Sequence, residues 1–227
     1  MNITQDVFDF LKDLEANNNR EWFQDNKERY EKAHADTIDF ADDLLKKVSA
    51  FDEIETASGK KSLMRIYRDI RFSKDKTPYK TNFGGGFKRL GANRRGGIYF
   101  HIKPNECFIG GGFWGPNKDD LLLIRQQIDM DARPLRDVIE SKLFRSEFGS
   151  LQGEQLKSCP KGFDKESPEI DLLRYKQFLI SKPFSNEVML SDAASDEMAK
   201  SIKAMLPFFD VMTEYLTTDL NGESIID

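Results

Sequence analysis

The chain has 227 residues, of which 39% are hydrophobic and 32% charged, with a formal net charge of −5. This length can bury a hydrophobic core without disulfides, and no apolar run approaches the roughly 20 residues that cross a bilayer. The N-terminus, MNITQDVFDFLKD, lacks the basic and apolar regions of a signal peptide. The two cysteines, Cys107 and Cys159, have neither metal-site nor redox-motif spacing. We therefore expect a soluble cytoplasmic protein with no membrane contact, no metal and no cofactor, and leave its oligomeric state open.

The first 50 residues show helical periodicity. Thr4 can cap a short first helix, whose apolar side chains recur every three to four residues. Asn18, with Glu21 three residues later, resembles a capping box. It predicts a second helix whose apolar stripe runs from Phe23 to Val48.

The centre of the chain has strand-like patterning, and ten of the 15 glycines fall between residues 84 and 115. The stretches GGIYFHIK and CFIGGGFW predict two antiparallel strands joined at Pro104-Asn105-Glu106. TNFGGGFKR predicts a third strand. SLMRIY also fits helical spacing, but we favour a strand over residues 63–68, followed by an irregular segment through RFSKDKTPY.

The C-terminal half returns to helical patterns. Asn117 caps one predicted helix, and Pro134 opens another. The last helix is predicted from Ser195 to Thr217, and Pro207 should kink or split it.

Two more strands are predicted between these helices, at LQGEQLK and YKQFLI. Together the elements predict an α+β fold with a central, mainly antiparallel, glycine-rich sheet flanked by N-terminal and C-terminal helices. No repeat or low-complexity linker interrupts the chain, so we expect a single domain over residues 1–227.

Positive charge is concentrated in one part of this acidic chain. Residues 60–103 hold 13 Lys and Arg against only Asp69 and Asp75, a net charge of +11, whereas the remaining residues carry −16. Such a block indicates a site for anions. Pairing of the basic residues with acidic helices of the same chain is an equally open interpretation.

The segment RIYRDIRFSKDKTPYK is the core of this block. In an extended chain, alternation places Arg65, Asp69 and Arg71 on one face, so that two guanidiniums flank a carboxylate. Guanidinium forks bind phosphate and carboxylate groups in bidentate fashion. The predicted ligand-binding residues are Arg65, Arg68, Arg71, Lys74, Lys76, Tyr79 and Lys80.

His101 is the best candidate for a general acid or base by residue type. It lies in a predicted strand and faces opposite to Phe100 and Ile102, although a lone strand histidine is often structural. We take His101 and Asp69 as tentative catalytic residues.

Two glycine trios, Gly84–Gly86 and Gly110–Gly112, interrupt predicted strands. Consecutive glycines mark a bulge, a close backbone approach or the floor of a ligand site. Near a basic block, such a floor would let an anion reach backbone N–H groups.

Four stretches of the sequence together resemble the domain of unknown function 2461 family, which contains bacterial and fungal proteins. They are RDIRFSKDKTPYK, NNREWFQDNKERY, GIYFHIKPNECFIGGGFWGP and CPKGF…SPEIDLLRYKQF. The resemblance extends from about Phe8 to Leu216. It implies a single domain of an intracellular protein and carries over no catalytic residues.

The first functional hypothesis is a protein that binds a phosphorylated or carboxylated small molecule at this Arg/Lys/Asp site, with enzymatic activity left open. The alternatives are a nucleic-acid-binding module that uses residues 60–103, and a scaffold that docks an acidic protein. In the nucleic-acid hypothesis Tyr79, Phe83 and Phe87 would stack on bases, but the acidic remainder of the chain argues against a long polyanion.

Overall fold

A computed structural model describes residues 1–226, which form ten helices and four strands. The helices are α1 Gln5–Ala16, α2 Arg20–Asp25, α3 Lys27–Val48, α4 Gly59–Ser62, α5 Lys118–Met130, α6 Arg133–Ile139, α7 Lys142–Phe148, α8 Ile170–Leu173, α9 Asn186–Leu190 and α10 Ala194–Thr217. The strands are β1 Phe83–Lys88, β2 Gly97–Ile102, β3 Cys107–Phe113 and β4 Phe178–Phe184. They form one antiparallel sheet in the order β1-β2-β3-β4, flanked by helices, which confirms the predicted α+β fold.

Contacts along the chain divide it into two compact units. Unit 1 comprises Met1–Phe87, Tyr99–Ile109 and Pro183–Lys200, and unit 2 comprises Lys88–Ile98, Gly110–Lys182 and the residues from Ser201 onwards. The single domain expected over residues 1–227 stays a prediction. None of the helices in residues 1–226 is both long and apolar enough to cross a membrane.

The first predicted helix forms with Thr4 at its N-cap position, but the second predicted helix differs in its cap and its continuity. The side chain of Asn19, rather than that of Asn18, accepts the N–H of Trp22 at 2.9 Å and caps α2. Asn18 cannot cap the helix because its side chain hydrogen-bonds to the backbone of Tyr79. The predicted second helix is also broken at Asn26, which separates α2 from α3.

The hairpin of β2 and β3 confirms the strands expected around Pro104-Asn105-Glu106. Asn105 takes a left-handed conformation (φ 65°), and its N–H donates to the side chain of Asn186 at 2.7 Å. In β2 the side chains alternate as the sequence suggests, because Ile98, Phe100 and Ile102 are all buried.

The strand predicted over residues 63–68 is wrong. These residues follow α4 and pair with the rest of the chain only at single bridges, Leu63 with Gly85 and Tyr67 with Tyr79. Lys80 N–H donates to the Ile66 carbonyl at 2.7 Å, but within residues 1–226 no continuous strand pairs with this segment.

Unit 2 contains the predicted helix after Asn117, whose side chain accepts two N–H groups at 2.8 and 2.9 Å. The helix expected from Pro134 ends at Ile139 and a new one starts at Lys142, because Ser141 caps α7.

The other C-terminal predictions hold in part. LQGEQLK forms only two bridges, at Gln152 and Gln155, and β4 begins at Phe178 rather than at Tyr175. Helix α10 runs through Pro207, so the proline does not split it.

Candidate functional site

A cleft of about 410 Å³ lies in unit 1 beside the basic segment. Its walls come from the end of α1, the loop before α2, and the irregular chain that leads into β1. The lining residues are Glu15, Asn18, Arg68, Asp75, Thr77, Tyr79, Lys80, Thr81 and Asn82.

Arg68 is fixed on one edge of its guanidinium and open on the other. Its Nη1 donates to Asp75 Oδ2 at 2.5 Å, to the Thr77 carbonyl at 3.3 Å and to the Thr77 hydroxyl. Within residues 1–226 its Nε and Nη2 donate to no protein acceptor. The Thr77 N–H and the Arg68 guanidinium lower the pKa of Asp75 to about 2, so the carboxylate stays charged near neutral pH. The remaining N–H groups are therefore oriented and available to a ligand oxygen.

Lys80 places a second positive charge on the cleft. The residue is half-buried, and its ammonium has no hydrogen-bond or ion-pair partner in the described part of the chain. Burial, followed by the charge of Arg65, lowers the pKa of Lys80. A partly desolvated cation without a counterion favours the binding of an anion from solution.

Tyr79 forms a wall of the cleft. Its buried ring stacks on Phe23 with 4.0 Å between the ring centroids and 13° between the planes. Asn18 Nδ2 donates to the Tyr79 carbonyl at 2.9 Å, and the Tyr79 N–H donates to Asn18 Oδ1 at 3.1 Å. This two-point hydrogen-bonded clamp holds the segment that carries Lys80 against the α1–α2 loop.

Four of the predicted ligand-binding residues, Arg65, Arg71, Lys74 and Lys76, do not line the cleft. Asp69 holds Arg71 in a two-point fork at 2.9 and 2.7 Å on the exposed loop. Asp69, taken from the sequence as a catalytic candidate, therefore lies outside the cleft and binds one of the two arginines that were expected to share its face.

The remaining lysines of this group lie on the same loop. Lys76 donates to the Ile70 carbonyl at 2.9 Å, and Lys74 is exposed. Between them and Arg71 the ring of Phe72 is 95% exposed. The structure thus divides the basic segment into a cleft pair, Arg68 and Lys80, and an exposed loop.

His101 lies behind the cleft wall rather than on it. Its Nδ1 is 3.1 Å from the Tyr99 hydroxyl and 3.4 Å from Asn82 Nδ2, and its ring stacks on Phe108 at 4.9 Å. Burial lowers the pKa of His101, which favours the neutral ring near pH 7. Because Asn82 Nδ2 can only donate, Nδ1 acts as an acceptor and the ring proton resides on Nε2. His101 itself does not line the cleft, but it contacts Asn82, which does.

The family model described as "Conserved hypothetical protein (DUF2461)" matches residues 6–211. The chain belongs to this family. The resemblance seen in the sequence is thereby confirmed. No curated protein and no solved structure matches the chain.

Several cleft residues of this DUF2461 protein were missed from the sequence. They are Glu15, Asn18, Thr77, Thr81 and Asn82. Each is a common surface residue type, and Asn18 lies in a run of three asparagines where a helix cap was the nearest local explanation. Their role depends on contacts between distant parts of the chain, which no local pattern records.

The first glycine trio of the DUF2461 protein is explained by packing. A Cβ at Gly85 would lie 2.3 Å from the Phe100 ring, and one at Gly84 would lie 2.6 Å from the Tyr99 hydroxyl. Neither glycine lines the cleft, so the trio makes room for aromatic side chains of the neighbouring strand. Within residues 1–226, no three His, Cys, Asp or Glu side chains are grouped so that they could hold a metal ion.

Proposed function

We propose that this protein binds a small molecule carrying a phosphate or carboxylate group in the cleft of unit 1. The observation that carries the proposal is the pair of cations on the cleft, the oriented guanidinium of Arg68 and the unpartnered ammonium of Lys80. A guanidinium edge with free N–H groups suits a planar oxyanion, and a lysine adds a mobile point charge.

The rest of the cleft suits the uncharged part of such a molecule. Asn82, Thr77 and Thr81 add polar side chains with hydrogen-bonding groups. The volume of about 410 Å³ lies in the range of small-molecule sites, roughly 300–1,000 Å³. Glu15 also lines the cleft, and its Oε1 is 3.1 Å from Lys103 Nζ, so its charge is partly balanced by the protein itself.

A cytoplasmic location is part of this proposal. Cys107 and Cys159 are both free thiols, and free thiols are typical of proteins kept in a reducing compartment.

Nucleic-acid binding has less support than the binding of a small anion. The rings of Tyr79, Phe83 and Phe87, which would have to stack on bases, are all buried. The exposed loop with Phe72 has a basic character, but no described feature favours an acidic protein partner over solvent.

The proposal is tested by thermal unfolding of the protein with inorganic phosphate and with small phosphorylated or carboxylated compounds. A ligand at about 100 times its Kd stabilises the folded state by about 2.7 kcal/mol, which corresponds to about 5–11 °C at roughly 2–4 °C per kcal/mol for a chain of this size. We expect Arg68→Gln to abolish this shift, because it removes the charge that faces the cleft.

Arg71→Gln is the matched control, since Arg71 belongs to the same segment but lies outside the cleft, bound to Asp69. It should leave the shift unchanged. Circular dichroism checks that both variants fold, and Lys80→Gln replaces Arg68→Gln if the latter does not. Equal loss of the shift in the cleft variant and the loop variant would contradict the assignment of the site.

A further inference from the structure

Lys80 differs from the other partly buried lysines of the protein in its surroundings. The side chains of Lys47 and Lys103 are 25% and 18% exposed, and both are held by carboxylates. Lys182 is likewise paired, with Glu147 at 2.6 Å. These pairs follow the rule that a lysine is withdrawn from water only with a counterion.

Lys80 has no such carboxylate. The charge that acts on its pKa, after burial, is that of a second cation, Arg65. Two partly buried lysines of unit 1 show the contrast: the hydrogen bond to Glu106 raises the pKa of Lys103, whereas burial and then Arg65 lower the pKa of Lys80. These surroundings favour the neutral amine form of Lys80.

Partial desolvation and a neighbouring cation are the two conditions that activate a lysine as an amine nucleophile toward carbonyl compounds. The position of Lys80 adds the geometric requirement, because it lines the same cleft as Arg68. A molecule whose anionic group binds Arg68 is thereby held in the cleft with the amine.

We propose that Lys80 forms a Schiff base with an aldehyde or ketone group of the ligand that binds in the cleft. The ligand class is then narrowed to anionic carbonyl compounds, such as 2-oxo acids and phosphorylated aldehydes. This inference rests on the proposed anion binding and assigns a covalent chemistry to the same site.

The step balances without an oxidant or a reductant. The ammonium of Lys80 first loses one proton, and the free amine forms a C–N bond to the carbonyl carbon, giving a carbinolamine after proton transfer to the oxygen. The hydroxyl group takes back the proton that the ammonium lost, and the C–O bond then breaks with loss of water and leaves a protonated imine. Glu15 and Thr81, which line the same cleft, supply oxygen atoms to relay these protons.

The test uses glyoxylate, a small carboxylated aldehyde, with cyanoborohydride to reduce any imine to a stable carboxymethyl-lysine. Peptide mass spectrometry then gives the rate of modification at each lysine. Because Lys80 lines the cleft with Arg68 and Lys74 and Lys76 do not, the bound carboxylate holds the aldehyde beside the Lys80 amine. We therefore expect Lys80 to react severalfold faster than Lys74 and Lys76. Inorganic phosphate should slow the reaction at Lys80 and leave Lys74 unaffected.

Two variants test the assignment of the amine. Lys80→Arg keeps a positive charge but removes the primary amine, so it should lose the fast-reacting site. Lys76→Arg, a change on the exposed loop outside the cleft, should change neither the thermal shift with phosphate nor the fast reaction at Lys80. Modification of Lys80 at the rate of Lys74, in a protein that phosphate stabilises, overturns the Schiff-base assignment and leaves anion binding standing. Absence of any stabilisation by phosphate or by the anionic compounds refutes the proposed function instead.

Discussion

Replacing Asn18 by alanine should destabilise the protein and loosen the wall of the cleft. The Asn18 side chain makes two hydrogen bonds to the backbone of Tyr79, at 2.9 and 3.1 Å, and both are partly buried. Alanine removes both partners and leaves the N–H and the carbonyl of a buried residue to be satisfied by water or not at all.

The size of the effect follows from those two bonds. A typical intramolecular hydrogen bond contributes about 0.5–1.5 kcal/mol net, so the expected loss is about 1–3 kcal/mol. For a chain of this length that corresponds to a fall in Tm of about 2–12 °C, taking roughly 2–4 °C per kcal/mol. Asn18→Asp should also be destabilising, because a carboxylate can accept from the Tyr79 N–H but cannot donate to its carbonyl.

Urea unfolding followed by circular dichroism measures the loss, and thermal shift with phosphate measures the effect on the cleft. Asn17→Ala is the matched control: its side chain is exposed and makes one bond, to the Asp13 carbonyl. We expect the control to stay within about 0.5 kcal/mol of the parent, as surface substitutions usually do. If Asn18→Ala is no less stable than Asn17→Ala, the clamp does not support the cleft.

Three further predictions concern other parts of the chain. Gly85→Ala should lower the free energy of unfolding by about 1–3 kcal/mol, because the new Cβ would overlap an aromatic ring. Gly97 has open space around it, so Gly97→Ala should lower the free energy of unfolding less in the same urea titration. Burial lowers the pKa of His101 below 6.5, so on acidification the histidine is protonated first in the unfolded chain, and the free energy of unfolding decreases below about that pH. His101→Gln should make this decrease shallower. An NMR titration of the ring that gave a pKa above 6.5 would contradict the reasoning. Burial raises the pKa of Cys107 to about 11, so iodoacetamide should alkylate Cys159 before Cys107 in the folded protein, as peptide mass spectrometry would show.

Features with local causes were predictable from the sequence. Asn117 caps α5 as expected, because the acceptor and the N–H groups that it binds lie within three residues. The β2–β3 hairpin was predictable for a similar reason, since alternation on both sides and Asn105 at the turn are contained in one short stretch.

The candidate site was only partly predictable because its arrangement depends on distant contacts. The sequence identified Arg68, Tyr79 and Lys80, which do line the cleft. It could not separate them from Arg71 and Lys76, because strict alternation assumes a paired strand and the segment is held only at single bridges.

The role of Gly85 also could not be predicted from local sequence. Its missing side chain could leave room for a ligand or for a neighbouring side chain, and in the structure the Phe100 ring of the adjacent strand occupies that space.

The clamp between Asn18 and Tyr79 also has a consequence for biosynthesis. It joins positions that are 61 residues apart in the chain, and the loop that it closes must lose conformational entropy before either hydrogen bond can form. The clamp therefore cannot form on a nascent chain that ends before Tyr79. An anion that binds in the cleft would bind the folded protein only, so it should lower the unfolding rate and leave the early folding steps unchanged.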